Sequence, residues 1–301
     1  MSPTEPKRAT VTGSITLKLR RRFDFKQSVA APSLLTWFEV IGYTVLLEQD
    51  IASLKYRIGR TSYTEVILRD RLYSALKRIN PTIPDEAIAA AICQITTTDS
   101  NKKENNRRFH KLLTDGIEVE YLLSEQIVHE KVWLIDSHNL LNNDWLVIHP
   151  FTVVENSHAH CPDVVVFING LPLAVIVSVQ PSDEQATFQA GYERLQTYIQ
   201  QIPKLFYYNT FLVITCGNRA RIGTLTSDFQ EFLPWHTIDG EDFPDKGATE
   251  LEVLIQGVFD KRRITELIQH SIVFEDTETD IKKKFLCRPF CTIPTKPYRW
   301  D

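Results

Sequence analysis

Apolar positions along this chain change their period near residue 115. Before that point they recur every three or four residues, the spacing of one helix face; after it they alternate or run unbroken, as strands do. Leu34, Leu35, Phe38 and Ile41, with Trp37 beside them, predict a helix that stops at Gly42, then a short strand at 44–47 and a loop over 51–60. Over 63–79, Val66, Ile67, Leu72, Leu76 and Ile79 form a broad apolar stripe that ends at Asn80-Pro81. Arg69, Arg71, Lys77 and Arg78 of that helix point outward. Pro84 and Asp85 open an alanine-rich helix through Thr96, and 101–114 reads as a further helix with a basic outer face.

Past Asp115 the pattern predicts antiparallel strands at 117–122, 131–135, 144–149 and 151–155. Two almost wholly apolar runs, at 163–168 and 173–179, then flank Asn169-Gly170, the strongest short-range hairpin signal. Runs this apolar need cover on both faces, which places the hairpin mid-sheet. Ser182 or Asp183 caps a long helix through Gln201, with Pro203 marking its end. Strands are expected at 205–207, 211–216, 221–226 and 235–238, closing helices at 249–259 and 261–269, and a last strand at 272–275.

The fold class is therefore α/β: a mixed sheet flanked by helices, with a helical N-terminal portion. Residues 1–30 are polar and fit a short strand or disorder equally well. The main domain, 31–275, divides into a helical part over 34–114, a sheet core over 115–240 and closing helices over 249–275. The segment 276–301 has neither period and reads as an irregular tail.

Composition changes little. The net charge of −4 over 301 residues does not announce a nucleic-acid binder, so any DNA contact must come from local clusters at 18–22, 102–108, 261–263 and 282–284. Such a cluster is more often a solvated face than a phosphate track. Cys93, Cys161, Cys216, Cys287 and Cys291 are scattered and odd in number, which implies no framework of bridges and fits a reducing cytoplasm. No apolar run approaches a membrane span and no signal-peptide core is present, so the expectation is a soluble, cytoplasmic protein without a membrane partner. His158-x-His160-Cys161 and Cys287-x-x-x-Cys291 offer metal-binding side chains but too few for a closed site, and a solvated loop is the favoured reading of the first. There is no phosphate-binding loop of the Gly-x-x-x-x-Gly-Lys type and hence no ATP site in this chain.

One residue interrupts the apolar hairpin. Asp163, just after Pro162, sits at the entrance of the first run, where an acid needs water, a partner or a metal. An Asp facing solvent at a strand edge accounts for it equally well. Pro162-Asp163, the hairpin that follows and Asn169-Gly170-Leu171-Pro172-Leu173 in its turn resemble the PD-(D/E)xK nuclease domain of the motor (R) subunit of type I restriction enzymes. The resemblance extends from Trp37 to Phe274. It includes Arg107-Arg108-Phe109-His110, Asp115-Gly116-Ile117-Glu118-Val119-Glu120-Tyr121, Asn142-Asn143-Asp144-Trp145-Leu146, Ala220-Arg221-Ile222-Gly223-Thr224-Leu225-Thr226 and Pro234-Trp235-His236-Thr237.

The resemblance implies a metal-dependent endonuclease whose catalytic residues are only partly present here. Where the family's second strand reads Glu-Leu-Lys-Asn-Pro, this chain has Val177-Ser178-Val179-Gln180-Pro181, so Val177 stands at the metal-binding acid and Val179 at the lysine. The family's Gln-x-x-x-Tyr falls on Arg194 and Tyr198, and its acid in the first helix on Ala31. Of this set Asp163 and Tyr198 remain, with Asp163 the one metal-ligand candidate and Tyr198 and Arg194 the candidates for DNA contact. Phosphodiester hydrolysis needs a hard cation to bind the scissile oxygen and activate water, and Mg2+ is the family's ion. A single Asp is a weak anchor for it, and valine can neither bind metal nor position water.

The expected function is a catalytically inactive relative of the R subunit, shortened by loss of the helicase motor, acting with DNA and with modification and specificity subunits. The alternative is an active endonuclease that draws substitute ligands from Glu155, Asp183 or Glu184, or acts with partner subunits. The stretch after Lys283 reads as a shifted reading frame. One geometric expectation follows. A plain two-residue turn sets Asp163 opposite Ile176, whereas an odd-length loop or a bulge sets it opposite Val177, on one face; we expect the second.

Overall fold

A computed structural model describes residues 30–48, 60–99, 101–179, 187–239, 247–278 and 280–286. The two apolar runs become β7 (Val164–Ile168) and β8 (Leu171–Val179), in the middle of a six-stranded sheet. With β1 (Thr44–Leu47), β4 (Trp145–His149), β9 (Phe211–Cys216) and β10 (Arg219–Gly223), the order is β1-β4-β7-β8-β9-β10. β1 runs parallel to β4 and β8 parallel to β9, and the other pairs are antiparallel. Every side chain of β7, and all of β8 before Val179, is buried. Each Val or Ile so covered stabilises the fold by about 1.5–3 kcal/mol.

Eight helices surround this sheet and its neighbours among the described residues: α1 (Ala30–Val40), α2 (Arg69–Ile79), α3 (Asp85–Thr96), α4 (Lys102–Asp115), α5 (Thr187–Gln201), α6 (Pro203–Phe206), α7 (Glu250–Phe259) and α8 (Lys261–His270). The start of α4 is set locally: Asn101 Oδ1 accepts from the backbone N–H groups of Lys103 and Glu104. Three short ladders accompany the sheet among the described residues: β2 (Ile117–Leu123) with β3 (Gln126–Val132), β5 (Val153–Glu155) with β6 (His158–His160), and β11 (Ile272–Asp276) with β12 (Ile281–Phe285).

Several expectations need correction. The helix expected from 63 begins at Arg69, because the preceding residues bond elsewhere: Tyr63 O accepts from Val154 N, and Leu68 N donates to Gly170 O. The strand expected at 205–207 is α6; Pro203 stands in its first turn, where a missing N–H costs nothing. The strand expected over 131–135 lies at Gln126–Val132, fixed by its pairing with β2. Residues 235–238 form no strand, and Trp235 Nε1 donates to Thr237 O instead. Within the expected irregular tail, 281–285 is a strand; the Cys287–Cys291 pair lies outside the described residues, as does the segment at 1–29.

The hairpin turn fixes the register. Asn169 and Gly170 adopt φ of 53° and 78°, so Ile168 pairs with Leu171 across a two-residue turn. The ladder then slips between Val166 and Phe167: Phe167 faces Pro172, but Val166 faces Ala174, leaving Leu173 as the extra residue of a bulge. Leu173 O accepts from Thr210 N at 2.6 Å, which anchors the bulge to the strand that follows. Asn169 is fully buried; its amide donates to Leu134 O and Asn143 Oδ1, and its Oδ1 accepts from Asp144 N. A Cβ at Gly170 would lie 2.5 Å from Leu68 O, so only glycine seats the turn against the N-terminus of α2.

The β11–β12 hairpin is held by an unusual residue. Lys283 is 2% exposed, and its Nζ donates to Asn106 Oδ1 at 2.9 Å and Asn209 O at 2.8 Å. Burial pushes this lysine down to about 7. Asn106 in turn donates to Phe206 O and Asn209 O, tying α4 to the turn before β9.

Candidate active site

Asp163 stands one residue before β7. Val164 pairs with Ile176, so the same register sets Asp163 across from Val177. The bulge thus gives the pairing that an acid at 177 would need, through a two-residue turn rather than an odd loop. Val177 is 0% exposed, beside Ile214 of β9, and Val179 is half-buried at the strand end. Both are strand residues without polar function.

One oxygen of the Asp163 carboxylate is already occupied. Oδ2 accepts from Ser178 N at 2.8 Å and from the Nη2 of Arg194 in a close ion pair. The same Nη2 donates to Ser178 O at 2.8 Å, so one guanidinium nitrogen spans the carboxylate and the β8 backbone. Arg194 reaches this point because α5 lies close on the sheet: a Cβ at Gly191 would sit 2.5 Å from Ile214 Cγ2 and 2.9 Å from Val179 Cγ2. Burial pushes the Asp163 carboxyl above its ordinary value, opposed by the Arg194 guanidinium and the Ser178 N–H. His149 Nδ1 lies 2.5 Å from Asp163 O on the far side.

Tyr198, one turn beyond Arg194, is also buried on this face. Its ring packs against His160 at 5.1 Å, and burial pushes its hydroxyl up to about 12. His160 itself belongs to β6 rather than a loop, and its Nε2 lies 2.5 Å from Gln201 Oε1. No group of three or more His, Cys, Asp or Glu side chains suited to a metal exists among the described residues. The residues around Asp163 do not fit Mg2+: Oδ2 of the one carboxylate already carries a guanidinium and a backbone N–H, and its cross-strand partner is an alkyl group.

Of the substitute acids, Glu155 is buried and its Oε2 accepts from Lys204 N at 3.0 Å, serving the start of α6. Asp183 and Glu184 lie outside the described residues. The backbone at Ala31 is in α1. Sequence reasoning passed over Glu48, directly after β1. Its carboxylate accepts from Arg60 Nη2 at 3.0 Å, Thr152 N at 3.1 Å and Thr152 Oγ1 at 2.6 Å. Thr152 Oγ1 is also 3.3 Å from Cys161 Sγ, and burial pushes that thiol up to about 12. The signal for Glu48 was available: an acid closing an apolar strand, with Arg60 following in an otherwise unpatterned stretch.

The basic clusters are largely spent inside the molecule. Lys103 pairs with Asp280, Arg107 with Glu104 and Asp276, and Lys284 with Glu275. Lys261 Nζ donates to Gly42 O and Arg108 to Gln94 O. The cluster at 18–22 lies outside the described residues. No helix among the described residues is long and apolar enough to cross a membrane.

A mixed six-stranded sheet with an acid at the mouth of a central hairpin and a helix across that face is the frame of a restriction-type nuclease domain. Residues 27–231 match the family described as type I restriction enzyme R protein N terminus, and the chain belongs to that family. It is 29% identical over 243 residues to the type I restriction enzyme HindI endonuclease subunit of Haemophilus influenzae, covering 78% of this chain and 23% of that one. It is also 30% identical over 237 residues to the putative type I restriction enzyme MjaIXP endonuclease subunit of Methanocaldococcus jannaschii, covering 72% of this chain and 23% of the relative. The chain thus spans about a quarter of the length of these relatives.

Proposed function

We propose that this chain is a restriction-modification protein whose nuclease centre does not cleave DNA by the metal-dependent route. Its role is then to associate with DNA and with the modification and specificity subunits of a type I complex. The observation that carries this reading is the fully buried Val177 across from Asp163, with Val179 at the strand end where a lysine would act. A metal-activated water needs anionic ligands, and a developing phosphate charge needs a cation aimed at it; two alkyl side chains supply neither. Membership of the R-subunit family supports the choice of partners.

Supercoiled plasmid, incubated with magnesium or manganese and the purified chain, should stay uncut. It should also stay uncut when the modification and specificity subunits are added with ATP. Nicking that disappears on Asp163→Ala would overturn this reading. Failure of the chain to co-purify with those subunits would remove the proposed role.

A further inference from the structure

Arg194 is more than a neighbour of Asp163. Its Nη2 contacts Asp163 Oδ2 and Ser178 O together, and the Ser178 N–H completes the ring of donors on that same carboxylate oxygen. A cation bound to the carboxylate would have to share this point with a fixed positive charge. No second acid offsets that charge at the position across the ladder, because Val177 stands there. Another acid of this region, Glu48, is committed to Arg60 and Thr152.

We infer that the Arg194 guanidinium is the resident cation of this site and excludes divalent metal from Asp163. The inference deepens the inactive-centre reading and accounts for a half-buried carboxylate at that position. Burial alone opposes ionisation of Asp163, and a carboxylate at that depth needs an opposite charge. Arginine supplies it covalently, at a separation set by the close approach of α5 at Gly191. The planar guanidinium also spans carboxylate and carbonyl at once, which a hydrated ion does only by giving up waters. The exclusion is electrostatic and steric together. Restoring an acid on β8 while Arg194 remains should therefore create another arginine ion pair, not a metal site.

Manganese binding, read by loss of the free-ion electron paramagnetic resonance signal, tests this without DNA or cleavage. Three proteins are compared: Val177→Glu, Val177→Glu with Arg194→Gln, and Val177→Glu with Arg194→Lys. The Arg194→Gln protein should bind manganese at least about tenfold more tightly than the other two, since a fixed like charge opposes the ion. Equal binding in all three would overturn the inference. If changes at 177 prevent folding, Arg194→Glu in the otherwise unaltered chain places an acid at the same point without touching the sheet. That protein should gain manganese binding and a manganese-dependent rise in Tm, and neither appearing would equally overturn the inference. Plasmid nicking by the unaltered chain would sink the inactive-centre reading while leaving the manganese comparison to stand or fall by itself.

Discussion

Two ionisable groups drawn out of water to different depths, Asp163 and Lys283, solve the same problem in opposite ways. Asp163 keeps an opening to solvent, with a side chain 27% exposed, and meets a full opposite charge on Arg194. Lys283 is almost wholly enclosed, and its Nζ meets the neutral oxygens of Asn106 and Asn209 and the ring of Phe274, 5.5 Å from its centroid. Its ionisable neighbour on α4 is His110, which burial and Lys283 hold down at about 3 and therefore neutral. Charge answered by charge is held toward the ionised form against the pull of burial. Charge answered only by dipoles is unstable near neutrality, because partial charges compensate poorly for lost water. The site at Asp163 is electrostatically quiet; the tension lies in the β11–β12 hairpin.

The sharpest break of this contrast is Asn106→Leu. It removes one of the two acceptors of Lys283 and the donor to Phe206 O and Asn209 O, leaving buried groups unpaired. Urea melts should show a loss of about 3–5 kcal/mol. A loss below about 1 kcal/mol would mean the network carries little.

Next is pH. Lys283 sits at about 7 in the folded protein against 10.5 as its ordinary value, so between those pH values the unfolded chain binds more protons. Stability must then rise with pH over that window, by about 1.4 kcal/mol per unit from this residue, and level off below pH 7. The rise from pH 7 to pH 9 should be about 2–3 kcal/mol larger in the parent than in Lys283→Met. Identical slopes would show that Lys283 is not held as described.

Val177→Glu should cost about 1–2 kcal/mol, lost burial being partly offset by attraction to Arg194. Magnesium should restore stability only when Arg194→Gln is also present, which thermal melts with and without the ion would show. The smallest effect is expected for Asp163→Asn, about 1 kcal/mol or less, because a pair open to solvent is screened. A cost comparable to that of Asn106→Leu would erase the contrast between the two groups.

Much of the frame was legible because single strong signals agreed with their surroundings. Thr44–Leu47 and Phe211–Cys216 fall where the apolar runs place them, and Asn169-Gly170 turns as its chemistry demands. The misreadings came where tertiary contacts outbid local pattern. The start of α2 is set by Gly170 and β5, far away in sequence, and α6 rests on an acid, Glu155, that caps it from another element. Lys283 looked like one of three solvated lysines, since nothing local distinguishes it from Lys282 or Lys284. At the site, the alkyl side chains of Val177 and Val179 were visible in the sequence, but the contact of Arg194 with Asp163 was not. A reach from α5 to Asp163 depends on how near Gly191 lets the helix approach, and that is a property of packing.

The bulge at Leu173 separates two kinds of loss. Side chains at 177 and 179 can be exchanged one at a time, and the backbone would present whatever replaced them to Asp163. Removing one residue between the bulge and the site, such as Val175, would instead slide the rest of β8 by one and turn every later side chain to the opposite layer, with Val177 leaving the pocket and Ser178 entering it. Substitution at this strand is thus a reversible step, whereas a deletion in it would be a change of parity that no later substitution repairs.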